Sequence, residues 1–242
     1  MSRKKQNQNK NDLKPIADFI YEVGILSRTP RSGLWFLGTG KQSVAEHLLR
    51  TTYITYCLCY LTPKSSKVNR ERAILMALTH DLGEARTSDL NYVHQKYGRL
   101  AEGKAIADIA QVVPFGKEIQ KLYTEEQGKV TLEAKLVKDA DNLEWLATMR
   151  EEEAKGNIKA REWAKIAERR LKTSAGKKLG KLLLTVHPDN WWFNAKDKWW
   201  VSRNPKLQSW KKPARPNSRS GSRRCTGRSG RPFHRWRDRL RS

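Results

Sequence analysis

Three cysteines in 242 residues are too few for a disulfide framework, and Cys57 and Cys59, two apart on an expected helix, diverge. That usage fits a reducing cytoplasm. No run approaches the ~20 apolar residues of a membrane span, and the basic start MSRKKQNQNKNDLK has no apolar core of a secretion signal. A soluble, cytoplasmic protein without membrane association is expected. An alternating strand pattern and internal repeats are also missing, which argues against sheets and solenoids. So is any Gly-x4-Gly-Lys-Ser/Thr loop, since GTGK at 38–41 is too short to cradle a nucleotide. Acidic residues are scarce, 25 against 49 basic ones, for a net charge of +24.

That charge is unevenly spread. Residues 203–242 carry +13 and residues 1–14 carry +4, leaving +7 on the middle of the chain. The high basicity therefore describes the two ends more than the body, and it is weak evidence for nucleic-acid binding. Three segments are expected: a disordered basic arm over 1–12, a folded domain over 13–202, and an Arg/Ser/Gly/Pro-rich disordered tail over 203–242.

What the body does have is helical periodicity. IADFIYEVGIL, from Leu13 onward, ends at SRTPRSG, where Pro30 and Gly33 open a loop over 29–42. Ser43 caps VAEHLLRTTYITYCLCYL, too apolar for a surface helix. Asn69 caps RERAILMALTHDLGEA, with Ile74, Leu78 and Leu82 on one face. Helices follow near 101–113 and after Pro114. Thr131 begins the longest, with Leu132, Leu136, Leu143 and Leu146 on one stripe and Ala134, Val137, Asp141 and Trp145 on another. Two more lie near 158–172 and 176–186. The fold class is all-α, a single bundle of seven or eight helices. The aromatic stretch WWFNAKDKWW reads as a terminal segment laid back over that core rather than a base-stacking platform.

Four polar groups sit badly in a plain bundle. His47 interrupts the most apolar helix, His80 and Asp81 close the second, and Asp141 breaks an apolar face of the longest. Each alone is ordinary, a hydrogen-bonded core histidine or a solvated aspartate. Together they bury two carboxylates, which remain ionised only with a cation between them. Two imidazoles and two carboxylates suit Mn, Fe, Co, Ni, Zn or Mg, with positions left for water and substrate. Neighbours on a regular helix point about 100° apart, so His80 and Asp81 converge only if the helix ends there, and Gly83 makes that end plausible. Glu84 would then lie over the same mouth, and Asp89 could reach a bound substrate.

SVAEH around His47, HDLGEARTSDL at 80–90 and KDADNLE around Asp141 together resemble the H…HD…D signature of the HD-domain metal-dependent phosphohydrolases. More narrowly, they are similar to the 5′-deoxynucleotidase branch, over roughly residues 15–200. The resemblance implies a single HD-domain helical bundle that removes phosphate from (deoxy)ribonucleoside monophosphates. It makes His47, His80, Asp81 and Asp141 the ligands of a divalent metal ion, and Asp139 the less favoured carboxylate. Glu84 becomes a contact to substrate or attacking water, and Asp89 a group acting on the leaving oxygen or the water. It also implies that Arg28, with Arg31 as second candidate, holds the phosphate, as a planar guanidinium can. Bacterial nucleotidases of this branch place an aromatic residue after this arginine to help exclude a ribose 2′-hydroxyl, where this chain has Thr29. A homodimer is expected from the resemblance alone.

Lys41 is a further candidate phosphate contact, weighed against the favoured reading of a solvated loop lysine. Two other functions compete, the first resting on the basic tail and the tryptophan clusters, the second on the same four ligands. One is a nucleic-acid-binding protein acting weakly and non-specifically through its basic tail. The other is a regulatory HD module that binds metal without turnover.

Overall fold

The computed structural model describes residues 13–203, all helices, turns and loops apart from one isolated bridge. The expected basic arm over 1–12 and all but the first residue of the expected tail lie outside the described residues. In chain order the helices are α1 Lys14–Gly24, α2 Gly33–Leu37, α3 Val44–Leu61, α4 Arg70–Thr79, α5 Glu84–Thr87, α6 Glu102–Val112, α7 Gly116–Gly128, α8 Leu132–Ala154, α9 Lys159–Arg169, α10 Ser174–Leu183 and α11 Trp199–Ser202. Eight of them run ten residues or more, matching the number expected. No helix among the described residues is long and apolar enough to cross a membrane.

The long helices begin where the sequence supplies a cap. Ser43 and Glu46 form a reciprocal capping box at the head of α3, with the Glu46 amide donating to Ser43 Oγ at 3.2 Å and the Ser43 amide to Glu46 Oε2 at 2.6 Å. Asn69 caps α4 and Thr131 caps α8 through their side-chain oxygens. Thirteen of the 23 residues of α8 are buried, because it packs against α3, α4, α7, α9 and α10 at once. A helix so enclosed needs apolar residues on more than one face, which is why two stripes were legible in its sequence.

Three expectations are corrected. The segment 29–42 is not an irregular loop: α2 lies within it, and an antiparallel bridge joins Pro30 to Ser43. The buried face of α4 is Ala73, Met76 and Ala77, whereas Leu78 is 52 % exposed. Small residues win that face because α4 lies close against α3 and α8. The aromatic stretch lies over the core only at its start: the turn Pro188–Trp191 packs against α8, with Trp191 itself 82 % exposed.

The helical body ends at Phe193, and residues from Asn194 belong to a second compact unit. Its described part is a turn and α11, in which Trp199 and Trp200 meet edge to face and the Arg203 guanidinium lies 5.5 Å from the Trp199 ring.

Candidate active site

His47 sits one turn into α3, so the capping box that sets the start of the helix also sets the position of its ring. The ring is fully buried, and its Nδ1–H donates to Glu144 Oε2 at 2.7 Å. That bond leaves Nε2 facing inward. Helix α4 stops at Thr79, and residues 80–83 form a turn closed by Leu82 N–H to Thr79 carbonyl and Glu84 N–H to Asp81 carbonyl, at 3.1 and 3.0 Å. The regular 100° step is lost there, and His80 and Asp81 converge as the sequence required. His80 Nδ1–H donates to the Ala77 carbonyl at 2.9 Å, which again presents Nε2. Asp141 arrives from the middle of α8.

The donor atoms meet closely. His47 Nε2 lies 3.4 Å from His80 Nε2, 3.4 Å from Asp81 Oδ2 and 3.5 Å from Asp141 Oδ1. His80 Nε2 lies 3.3 Å from Asp81 Oδ2. Adjacent donors ~2.1 Å from one ion stand roughly 3.0–3.4 Å apart, so two imidazoles and two carboxylates fit a divalent cation with small adjustments. His47, His80 and Asp141 alone present ligand atoms all within 4.8 Å of one another. The set is a candidate divalent-metal centre.

Charge around the cluster is balanced by cations of the protein itself. Burial pushes the Asp81 carboxyl up, but His80, His47 and Arg31 together hold it well below the usual carboxylate range. Asp141 is likewise held low against burial, chiefly by Lys138, whose Nζ lies 2.7 Å from Asp141 Oδ2. Burial and Arg31 push His47 down, yet its hydrogen bonds to Asp81 and Glu144 raise it to about 9. Glu144 stays ionised, at about 2, because His47 and Arg50 overcome its burial. Glu84 behaves oppositely. Burial, Asp81 and Asp89 push it up to about 10, so it is a neutral acid at pH 7, and its buried Oε2 makes no hydrogen bond.

A cavity of about 370 Å³ opens above the cluster, lined by His80, Asp81, Glu84, Asp89, Asp141 and Arg31 among others. Asp89 follows Ser88, whose φ of +67° and ψ of 169° turn the chain back toward the site. Its Oδ2 accepts from the Ser32 amide at 2.6 Å and the Ser32 hydroxyl at 2.8 Å. The bridge across the 29–42 segment, Arg31 N–H to Gln42 carbonyl and Val44 N–H to Thr29 carbonyl, both 2.9 Å, aims the Arg31 side chain inward. Arg31 Nη1 then lies 3.5 Å from Asp89 Oδ1 and 3.7 Å from Asp81 Oδ2.

The structure thus brings together seven of the nine residues singled out by sequence. Arg28 and Lys41 are not among them: both are exposed and line another open cavity, along the 29–42 segment, which Arg31 also borders. Of the two arginines, Arg31 is the one at the cluster. Thr29 is also turned away, with its hydroxyl donating to the Ile25 carbonyl at 3.1 Å. Asp139 faces the opposite side of α8, where it accepts from the Lys172 and Thr173 amides at 2.8 and 2.7 Å and anchors the turn before α10. A Cβ at Gly176 would fall 2.3 Å from Asp139 Oδ2, so glycine is needed for that approach.

Sequence reading missed the support behind His47. Glu144 accepts from His47 and from Arg50 Nε at 2.9 Å, and Thr148 Oγ1 and Gln42 Nε2 add bonds at 3.1 and 2.6 Å. A signal existed, since Glu144 follows Asp141 by three residues on one helix and Arg50 follows His47 by three. Lys138, three before Asp141, carried the same signal.

A helical bundle whose inward-facing His, His-Asp and Asp meet at one point is the layout of the HD domain, and the chain matches the HD domain family over residues 23–182. It belongs to that family. Among curated relatives, the 5′-deoxynucleotidase hdd1 of Schizosaccharomyces pombe is 31 % identical over 152 residues, covering 59 % of this chain and 74 % of the relative. The 5′-deoxynucleotidase HDDC2 of Danio rerio is 36 % identical over 145 residues, covering 57 % and 70 %. Among solved structures, a conserved hypothetical protein of Pyrococcus furiosus superposes with a TM-score of 0.60 at 34 % identity, covering 69 % of this chain and 96 % of that one.

Proposed function

We propose that the protein is a metal-dependent phosphohydrolase that removes the 5′-phosphate of nucleoside monophosphates, deoxyribonucleotides included. The observation that carries this reading is the convergence of His47, His80, Asp81 and Asp141 on the floor of a cavity with one buried arginine beside them. The relatives named 5′-deoxynucleotidase supply the substrate class. His47, His80, Asp81 and Asp141 would hold the ion, with Mn, Co, Fe, Ni, Zn and Mg all compatible with that N/O set. When bound, a divalent cation supplies positive charge to the phosphoryl oxygens and makes a water more acidic.

The chain's own groups would do the rest. Arg31 can leave its two carboxylate neighbours for the phosphate, whose doubly charged oxygens offer it better partners. Asp89, fixed by two Ser32 bonds, keeps Oδ1 for a proton from the attacking water or for positioning it. Glu84, buried on the cavity wall with Oε2 unpartnered, would contact the substrate or the attacking water.

The test is phosphate release from ribo- and deoxyribonucleoside monophosphates by metal-stripped protein re-supplied with each cation. Release restored by a metal and reduced on the order of 10³-fold in Asp81→Ala is the expected result. A folded protein that binds metal and releases no phosphate would move the assignment to the regulatory module.

The homodimer belongs to the same proposal. Leu49, Tyr53, Tyr56 and Tyr60, each at least half exposed, follow one face of α3 and would supply its contact. Sedimentation of wild type against Tyr53→Glu checks it, with a shift from dimer to monomer expected.

A further inference from the structure

Beside the ion cavity lies a second one of different character. It measures about 400 Å³ and is walled by Phe36, Tyr92, Trp145, Trp163, Ile166 and Arg170. Trp145 and Tyr92 line both cavities, as do Gly33 and Asn91, so the two are continuous around the Trp145 indole. Gly33 permits that continuity: a Cβ there would come within 3.1 Å of the Trp145 ring.

Two aromatic pairs line the second cavity. Trp145 and Trp163 stack with centroids 6.2 Å apart and planes at 29°, and the Arg170 guanidinium lies 4.5 Å from the Tyr92 ring and donates to its hydroxyl. Phe36 and Ile166 are 46 % and 40 % exposed, so the mouth of the cavity is apolar.

We propose that this cavity is the nucleobase subsite: the base packs against the tryptophan pair and the Tyr92–Arg170 pair while the phosphate reaches the ion cavity. The inference rests on the phosphohydrolase reading and names how that site recognises its substrate. Flat aromatic walls and a guanidinium suit a planar heterocycle by stacking and cation–π attraction.

The polar inventory of the walls adds a second consequence. The Asn91 amide is already used, since Nδ2 reaches Ser32 Oγ and His94 Nδ1 at 3.1 and 3.0 Å while Oδ1 accepts from the Val93 and His94 amides. Arg170 spends one N–H on the Tyr92 hydroxyl, and a guanidinium carries five, so it keeps donors for acceptor atoms on the edge of a base. Stacked area supplies the rest of the attraction, which favours purines over pyrimidines.

Two variants test the subsite, Trp163→Ala, which removes one wall, and Ile166→Trp, which fills the cavity from a partly exposed position should the first fail to fold. Two substrates separate base from phosphate: deoxyadenosine monophosphate and 2-deoxyribose 5-phosphate. The variants are expected to raise KM for the nucleotide roughly ten- to hundredfold while leaving kcat and all turnover of the base-free ester within about twofold. Equilibrium dialysis of deoxyadenosine should weaken by the same factor. Unchanged nucleotide KM and unchanged nucleoside binding in a folded variant would overturn the proposal, as would an equal loss on both substrates. Should no form hydrolyse either ester, the phosphohydrolase reading fails by itself, and the dialysis still decides the subsite.

Discussion

The two cavities that meet at Trp145 are built from opposite materials. The one over His47, His80, Asp81 and Asp141 is lined by carboxylates, imidazole, lysines and a buried arginine, while its neighbour has Arg170 as its charged wall residue. In the first, position is enforced by charge. Asp81, Asp89 and Asp141 each have a cationic group within 4 Å, so the charges at the cluster bear on one another's protonation. In the second, shape decides, because apolar walls discriminate by fit and little by hydrogen bonding. A substitution in the polar cavity should therefore reach turnover, and one in the apolar cavity should reach binding of a particular substrate.

The sharpest way to break this distinction is at the arginines. Arg31→Ala should lower kcat/KM for nucleotide hydrolysis by roughly 10²–10³-fold, the loss expected for one preorganised charged donor. Arg28→Ala and Lys41→Ala, both at exposed positions, should stay within about threefold of wild type. Steady-state kinetics on the three variants compares them directly, and a large loss in Arg28→Ala would place the phosphate in the open cavity along the 29–42 segment.

Next comes the support beneath the cluster. Glu144→Gln keeps the size of the side chain but replaces a charged acceptor on His47 Nδ1 and leaves Arg50 without its buried partner. Metal affinity should fall roughly ten- to hundredfold, measured by competition with a chelator. An unchanged affinity would mean that His47 is oriented by packing alone.

A last test concerns stability. Glu84 ordinarily ionises near ~4.3, and in the folded, metal-free protein burial and the neighbouring Asp81 and Asp89 raise it to about 10. A raised carboxyl favours the folded state most at pH below its unfolded value, and that contribution is lost as pH climbs toward 10. Metal-free wild type should accordingly lose stability relative to Glu84→Gln between about pH 4 and 10. Urea unfolding of both at pH 5 and pH 9 reads this directly, and a constant difference would show that Glu84 stays charged. The same variant should lose hydrolysis at both values.

Much of this protein could be read before its fold was known. Ser43, Asn69 and Thr131 announce helix starts, and the two stripes of α8 demand burial on more than one side, whereas α3, which reads as too apolar for the surface, keeps Leu49, Tyr53, Tyr56 and Tyr60 at least half exposed. His47, His80, Asp81 and Asp141 stand out as charges that a core cannot hold without compensation. These are local statements, and caps, periods and desolvation act on neighbours along the chain.

Other features depended on distance in space. Arg28 and Arg31 are three residues apart in the same basic turn, and only the bridge from Pro30 to Ser43 determines that Arg31 faces inward and Arg28 outward. Asp139 and Asp141 are two apart on α8, yet one ties down the turn before α10 and the other meets two histidines. Trp145 reads as one more core residue until Trp163, 18 residues later, and Tyr92, 53 residues earlier, are seen beside it. The sequence by itself determined the helical class, the helix starts and the set of side chains that need a cation. Tertiary structure decided which neighbour of each pair faces the cavity, because orientation is settled by packing between helices far apart in the chain.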